Sequence, residues 1–76
     1  MSYGYSARLI ELNKQADPKL LGVRLGKACI KKNLSVHEVA NKFGVSRQTV
    51  YNWFMGRSSP QNVVAEAVND LLAQLN

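Results

Sequence analysis

The chain has 76 residues, 46% of them hydrophobic and 20% charged, with a formal net charge of +5. That is the composition of a soluble globular protein, and a chain of this size buries only about 60–65% of its unfolded surface, enough for one small core and one domain over residues 1–76. No apolar run approaches the roughly 20 residues of a membrane span, no signal-peptide pattern is present, and there is neither an internal repeat nor a low-complexity tract.

No segment alternates β-branched with polar residues over a useful length, so an all-α protein is expected. The first helix is expected from Ser6 to Gln15, with Leu9 and Leu12 inward and Ile10 partly so. Asp17 has the chemistry to cap a second helix, and Pro18 suits its first position, where a missing N–H costs nothing. That helix is expected to reach about Lys32, with Leu21, Leu25, Ala28 and Cys29 forming an apolar stripe and Arg24, Lys27 and Lys31 on the other side. Asn33 follows where a left-handed residue is wanted, a conformation asparagine tolerates.

The segment "SVHE" is a capping box: Ser35 can accept from the N–H of Glu38 while Glu38 reaches back to the N–H of Ser35. It opens a brief helix with Val36, Val39, Ala40 and Phe43 at apolar spacing. Gly44 ends that helix and Ser46 caps the next, so two short helices joined by a tight glycine turn form a helix-turn-helix over about residues 35–55. On a wheel of the second helix, Val50 and Trp53 fall together, with Phe54 at the edge of that buried side. Arg47, Gln48, Tyr51 and Asn52 share the opposite arc, and Gly56 ends the helix. After "RSSPQ", a last helix over about 61–75 carries Val64, Ala67, Val68, Leu71, Leu72 and Leu75 at helical spacing.

Charge is distributed unevenly along these elements. Residues 1–18 are neutral, residues 19–57 carry eight basic groups against Glu38 alone for a net +7, and residues 58–76 carry −2. A basic middle segment can be an ordinary solvated surface, but it is also what a polyanion-binding face requires. The polar arc of the helix at 47–54 sharpens the choice. A merely solvated face is usually filled with Glu and Lys, whereas Arg suits guanine edges and Gln or Asn suits adenine.

Enzyme chemistry finds little support. His37 is the only histidine and has no cysteine or carboxylate pair around it to make a metal site. Cys29, the only cysteine, sits on an apolar stripe where it behaves as a small hydrophobe, and no internal disulfide can form. No phosphate-binding glycine loop, cofactor motif or small-molecule site is evident. A disulfide-free domain of this kind fits the cytoplasm.

The segment "LSVHEVANKFGVSRQTVYNWFMGRSSP", Leu34 to Pro60, resembles the DNA-binding domain of phage Cro and C1 repressors and related bacterial regulators, the XRE-like helix-turn-helix family. Its marks are Leu34-Ser35, Ala40, Gly44-Val45-Ser46, Val50, Trp53, Gly56 and Pro60, and the likeness extends from about Leu21 through the last helix. It implies a lambda-repressor-like bundle of about five short helices. The helix at 47–54 would enter the major groove and the preceding helix would cross the backbone. Three positions depart from the family pattern: Val36 replaces a usual glutamine, Met55 stands where a polar phosphate contact is common, and Cys29 with Phe54 replaces a buried Arg–Glu pair. An apolar pair can replace an ion pair without loss when both members change together.

On this basis Arg47, Gln48, Tyr51 and Asn52 are the expected base readers. Ser35, Ser46, Thr49, Lys27, Lys31, Lys42, Arg57 and Ser58 are the expected contacts to the DNA backbone. The expected partner is double-stranded DNA with a palindromic operator, bound by a homodimer joined through the acidic last helix and its Leu71, Leu72 and Leu75, with no membrane involved. The competing class is a protein-interaction module on the same fold, an antitoxin or anti-repressor. Such a module would replace the base-reading side chains with apolar ones, which Arg47, Gln48 and Asn52 argue against.

Overall fold

In the computed structural model, which describes residues 5–75, two glycines let the second and fourth helices approach unusually closely. A Cβ at Gly22 would lie 2.7 Å from Trp53 Cβ, and one at Gly26 would lie 2.9 Å from Phe54 Cγ and 2.5 Å from Asn13 Nδ2. Small residues at a crossing allow this contact because nothing projects between the backbones.

The described chain folds into five helices: α1 (Ala7–Gln15), α2 (Leu21–Lys31), α3 (Val36–Phe43), α4 (Arg47–Phe54) and α5 (Asn62–Leu75). Helix α2 is the hub, packing on α1, α4 and α5, while α3 lies against α4. The globule measures 30 × 24 × 22 Å.

Local chemistry explains most helix boundaries. Ser6, Ser35 and Ser46 are N-caps, each accepting through its side chain from the N–H three residues on, at 3.1 Å. Such a cap contributes about 1 kcal/mol. Three helices end on left-handed residues: Asn33 at φ 60°, Gly44 at 65° and Gly56 at 78°. In each case the next residue's N–H reaches a carbonyl five residues back: Leu34 to Cys29, Val45 to Ala40, and Arg57 to Asn52. The left-handed turn thereby satisfies carbonyls that the helix end leaves without partners. Around the expected capping box, the Glu38 carboxylate accepts from the Ser35 hydroxyl at 3.3 Å, not from the backbone N–H expected of it.

The start of α2 differs from expectation. Asp17 does not cap it: its Oδ1 accepts from the N–H of Lys19 at 2.9 Å and its carbonyl from Leu20 at 3.2 Å. The side chain is used inside its own turn, so α2 begins at Leu21, with Leu20 capping through its backbone alone.

The core gathers Leu9, Leu25, Cys29, Val36, Val39, Val50, Trp53, Phe54, Val68, Leu71 and Leu72. Each large apolar side chain buried this way contributes about 1.5–3 kcal/mol. Phe54 is not at the edge of the buried side but fully enclosed, because Tyr5 stacks on its ring with centroids 6.1 Å apart. The Tyr5 hydroxyl donates to the Leu34 carbonyl, tying the start of the described chain to the α2–α3 turn. Cys29 shares the core with Phe54, and both have no exposed surface.

Asn13 is the buried polar residue that the apolar pattern of α1 conceals. Its Nδ2 donates to the Phe54 carbonyl at 2.8 Å and to the Val23 carbonyl at 3.3 Å. The first of these is a terminal carbonyl of α4, without a partner in its own helix. Asn13 therefore clamps the C-terminal end of α4 to α1 and α2.

Candidate nucleic-acid interface

Helix α4 buries Val50, Trp53 and Phe54 against the core and turns Arg47 and Gln48 to solvent, with Tyr51 and Asn52 half-buried beside them. Trp53 meets Phe43 of α3 edge-on at 6.1 Å, which helps fix the angle between the two helices of the helix-turn-helix. The exposed arc holds no carboxylate.

Within this arc the polar groups have specific partners. Gln48 Nε2 donates to Asn52 Oδ1 one turn on, at 3.2 Å. Arg47 Nη2 donates to His37 Nδ1 on α3, at 2.9 Å. The hydroxyls of Ser46 and Thr49 lie 2.9 Å apart. These side chains are thus held in place by contacts that solvent-exposed donors and acceptors can exchange for others.

Tyr51 sits differently from its three neighbours. With Gln48 and Met55 it lines one wall of an open groove of about 340 Å³, whose other wall is Ser6, Arg8, Leu9 and Leu12 of the α1 region. Its ring packs partly against the core. Arg8 is exposed and stands across this groove from Gln48, a neighbour that the sequence pattern gave no means of finding.

The residues expected at the DNA backbone separate into two groups. Ser46 and Thr49 flank the N-terminus of α4, and Arg57 and Ser58 follow its C-terminus, with both backbone N–H groups directed at the Asn52 carbonyl at 2.9 and 3.4 Å. Ser35 begins α3 as its cap. Lys27, Lys31 and Lys42 are not brought to this face. Helical geometry puts Lys31 on the side of α2 opposite the Gly22–Gly26 contact with α4. Lys27 Nζ is 3.3 Å from the Asn13 carbonyl, near the C-terminal end of α1, where a cation is favoured. Lys42 lies along α5, among Ala67, Asp70, Leu71 and Gln74.

Of the leucines at the end of α5, Leu71 and Leu72 are 7% and 5% exposed and close the protein's own core, while Leu75 is half-buried. The one large apolar residue fully presented to solvent among the described residues is Val63, 75% exposed, at the other end of the helix. No helix among the described residues is long and apolar enough to cross a membrane.

The family model described as Helix-turn-helix matches residues 25–73, from the middle of α2 almost to the end of α5, and leaves α1 outside. No curated protein and no solved structure matches the chain. The five-helix bundle, the Gly44 turn between α3 and α4, and a match over well beyond half the chain lead to one conclusion: the protein belongs to the Cro/C1-type helix-turn-helix family of DNA-binding regulators, whose partner is double-stranded DNA.

Proposed function

We propose that the protein is a sequence-specific repressor of phage or prophage type, working in the cytoplasm, that reads the major groove with α4. The observation that carries this reading is the exposed arc of α4. It presents Arg47, Gln48 and Asn52, side chains suited to base edges, on a face free of acidic groups. Arg47 and Gln48 are the principal readers. Asn52 supports Gln48 and contacts a neighbouring base, and Tyr51, half-buried in the groove wall, adds a contact beside them. Ser46, Thr49, Arg57 and Ser58 hold the flanking phosphates, with Ser35 presenting the N-terminus of α3 to the backbone. Lys27, Lys31 and Lys42 supply long-range positive field more than contacts.

A homodimer on a palindromic operator completes the reading. One short helix covers about half of a typical operator, and half-sites on one face of the duplex lie about 34 Å apart. The described residues span 30 Å along their longest axis, comparable with that spacing, so two copies on successive turns would lie close enough for a contact between them. Helix α5, with no basic residue, is the surface that avoids phosphate. With Leu71 and Leu72 taken by the core, Val63, Ala67 and Leu75 remain to the joint, so the dimer is weak until DNA brings two copies together.

Gel-shift titration of the DNA flanking the protein's own gene against a shuffled duplex tests the specificity. A strong preference for the flanking DNA is expected, and equal affinity would contradict it. A promoter overlapping that site should fall silent when the protein is supplied; a rise in transcription would exclude repression. Sedimentation on a full operator should find two protein chains per duplex, and one chain at protein excess would remove the dimer.

A further inference from the structure

Among the described residues, the Arg47–His37 contact is the one hydrogen bond that joins the arc of α4 to the preceding helix through side chains. We propose that His37 is a positioning residue for Arg47 and so a determinant of operator specificity, an inference that rests on the reading of α4 as the base-contacting helix. His37 follows the cap at the start of α3, on its exposed side, and Arg47 is the first residue of α4, ten positions later. The Gly44 turn brings the two to 2.9 Å, Nη2 to Nδ1.

The chemistry of this pair has a definite direction. A guanidinium has donors only, so Nδ1 must be the unprotonated nitrogen that accepts, and the neutral ring then carries its proton on Nε2. On that second nitrogen stands the side-chain amide of Asn41, 3.2 Å away and one turn further along α3. The atom set against it is Asn41 Nδ2, but one neutral imidazole cannot accept from both Nδ2 and Nη2, so the amide turned by a half-rotation, which leaves its shape unchanged, would accept the Nε2 proton through Oδ1. In that orientation Asn41 favours the tautomer whose Nδ1 receives Arg47. The outcome is a relay across the helix-turn-helix, from Asn41 through the imidazole to the guanidinium.

Its effect on recognition follows from what arginine needs. Guanine is read by two parallel N–H bonds from a guanidinium held in one plane, and a free arginine side chain loses substantial rotamer freedom when it adopts that plane. Engaging one edge of the fork through Nη2 restricts the side chain before DNA arrives and leaves its remaining donors for the base. Binding energy otherwise spent on ordering is retained as discrimination at a single base pair.

The test uses the full chain, the strongest duplex selected from a random pool, and a shuffled duplex. His37→Ala should weaken binding to the selected duplex about three- to tenfold, the worth of one exposed hydrogen bond and its ordering, with the shuffled duplex unaffected. The loss should fall on the base pair whose substitution is also silent in Arg47→Ala. His37→Asn should restore both affinity and discrimination, because its Oδ1 occupies the place of Nδ1, whereas His37→Phe should not. In the Arg47→Ala background, His37→Ala should cost nothing further. If Arg47→Ala loses discrimination while His37→Ala keeps it, or if asparagine fails to rescue, the positioning role is overturned and the reading helix stands. If Arg47→Ala itself binds both duplexes like the parent, or no preferred duplex emerges, the base-reading role falls and the inference with it.

Discussion

The two ends of α4 are held in opposite ways. At its C-terminal end Asn13 reaches from α1 to the Phe54 carbonyl, inside the core and beside the Gly26 contact. At its N-terminal end His37 reaches from α3 to the Arg47 side chain, in full contact with solvent. A buried bond to a backbone carbonyl cannot be exchanged for water without cost, so it fixes where the helix lies. An exposed bond through one nitrogen of a guanidinium leaves its other donors open to a base or phosphate, so it restrains the reader without committing it. Rigid placement and available chemistry are thus divided between the two flanking helices. The anchoring helix, α1, is the one that lies outside the family match.

The strongest way to break the anchored end is Phe54→Ala. It removes the ring on which Tyr5 stacks and opens a cavity under α1, and should cost about 3–5 kcal/mol of unfolding free energy by denaturant titration. A loss below about 1 kcal/mol would mean that α1 and Tyr5 contribute little to the core. Asn13→Ala is the more selective break. It strands the Phe54 carbonyl and should cost about 1–3 kcal/mol, with reduced hydrogen-exchange protection concentrated in the last turn of α4 and in α1. Unchanged stability would show that water replaces the amide without difficulty.

These two residues also mark what the sequence could and could not convey. The helix ends were legible in Ser35, Asn33, Gly44, Ser46 and Gly56, because capping and left-handed turns are decided within a few residues of chain. Asp17 and Pro18 carry the same local signals, yet they form a turn of their own, since Asp17 finds a nearer donor in Lys19. Asn13 reads as a polar residue on an amphipathic helix until the Phe54 carbonyl, 41 residues away, is placed above it. Phe54 reads as a boundary residue on the wheel of α4 alone, because its cover comes from Tyr5. His37 looks like a solvated residue of a first turn, because its partner is on the next helix. The arc of Arg47, Gln48 and Asn52 was legible because helical periodicity alone sets it. The positions of Lys27, Lys31 and Lys42 were not, since net charge along a chain carries no information about which face each group takes.

Alkaline pH separates the buried side from the exposed one. Burial, with a smaller contribution from the Glu38 charge, pushes the Cys29 thiol up from its ordinary 9.0 to about 12. Burial also raises the Tyr5 hydroxyl. Both groups hold their protons in the folded protein after the unfolded chain has released them. Their contribution is therefore intact below about pH 9 and is lost as pH rises from there towards 12. Stability measured across that window should fall, and a thiol reagent at pH 8 should label Cys29 only after unfolding. Rapid labelling of the native protein would contradict its burial.

The smallest effects should come from single charges. Arg57→Ala, beside the end of α4, should reduce the slope of log affinity against log salt by about 0.9, whereas Lys31→Ala on the far side of α2 should leave it nearly unchanged. Equal effects would mean that Lys31 also contacts phosphate.

Whether the exposed face of α4 reads base sequence is decided by Gln48→Ala, measured on operator and on random DNA. Gln48 is solvent-exposed and, among the described residues, hydrogen-bonds through its side chain to Asn52 alone, so folding should be unaffected by the substitution. Operator affinity should fall by about 1–3 kcal/mol while affinity for random DNA stays the same. If the variant binds both duplexes as the parent does, α4 is not the reading helix.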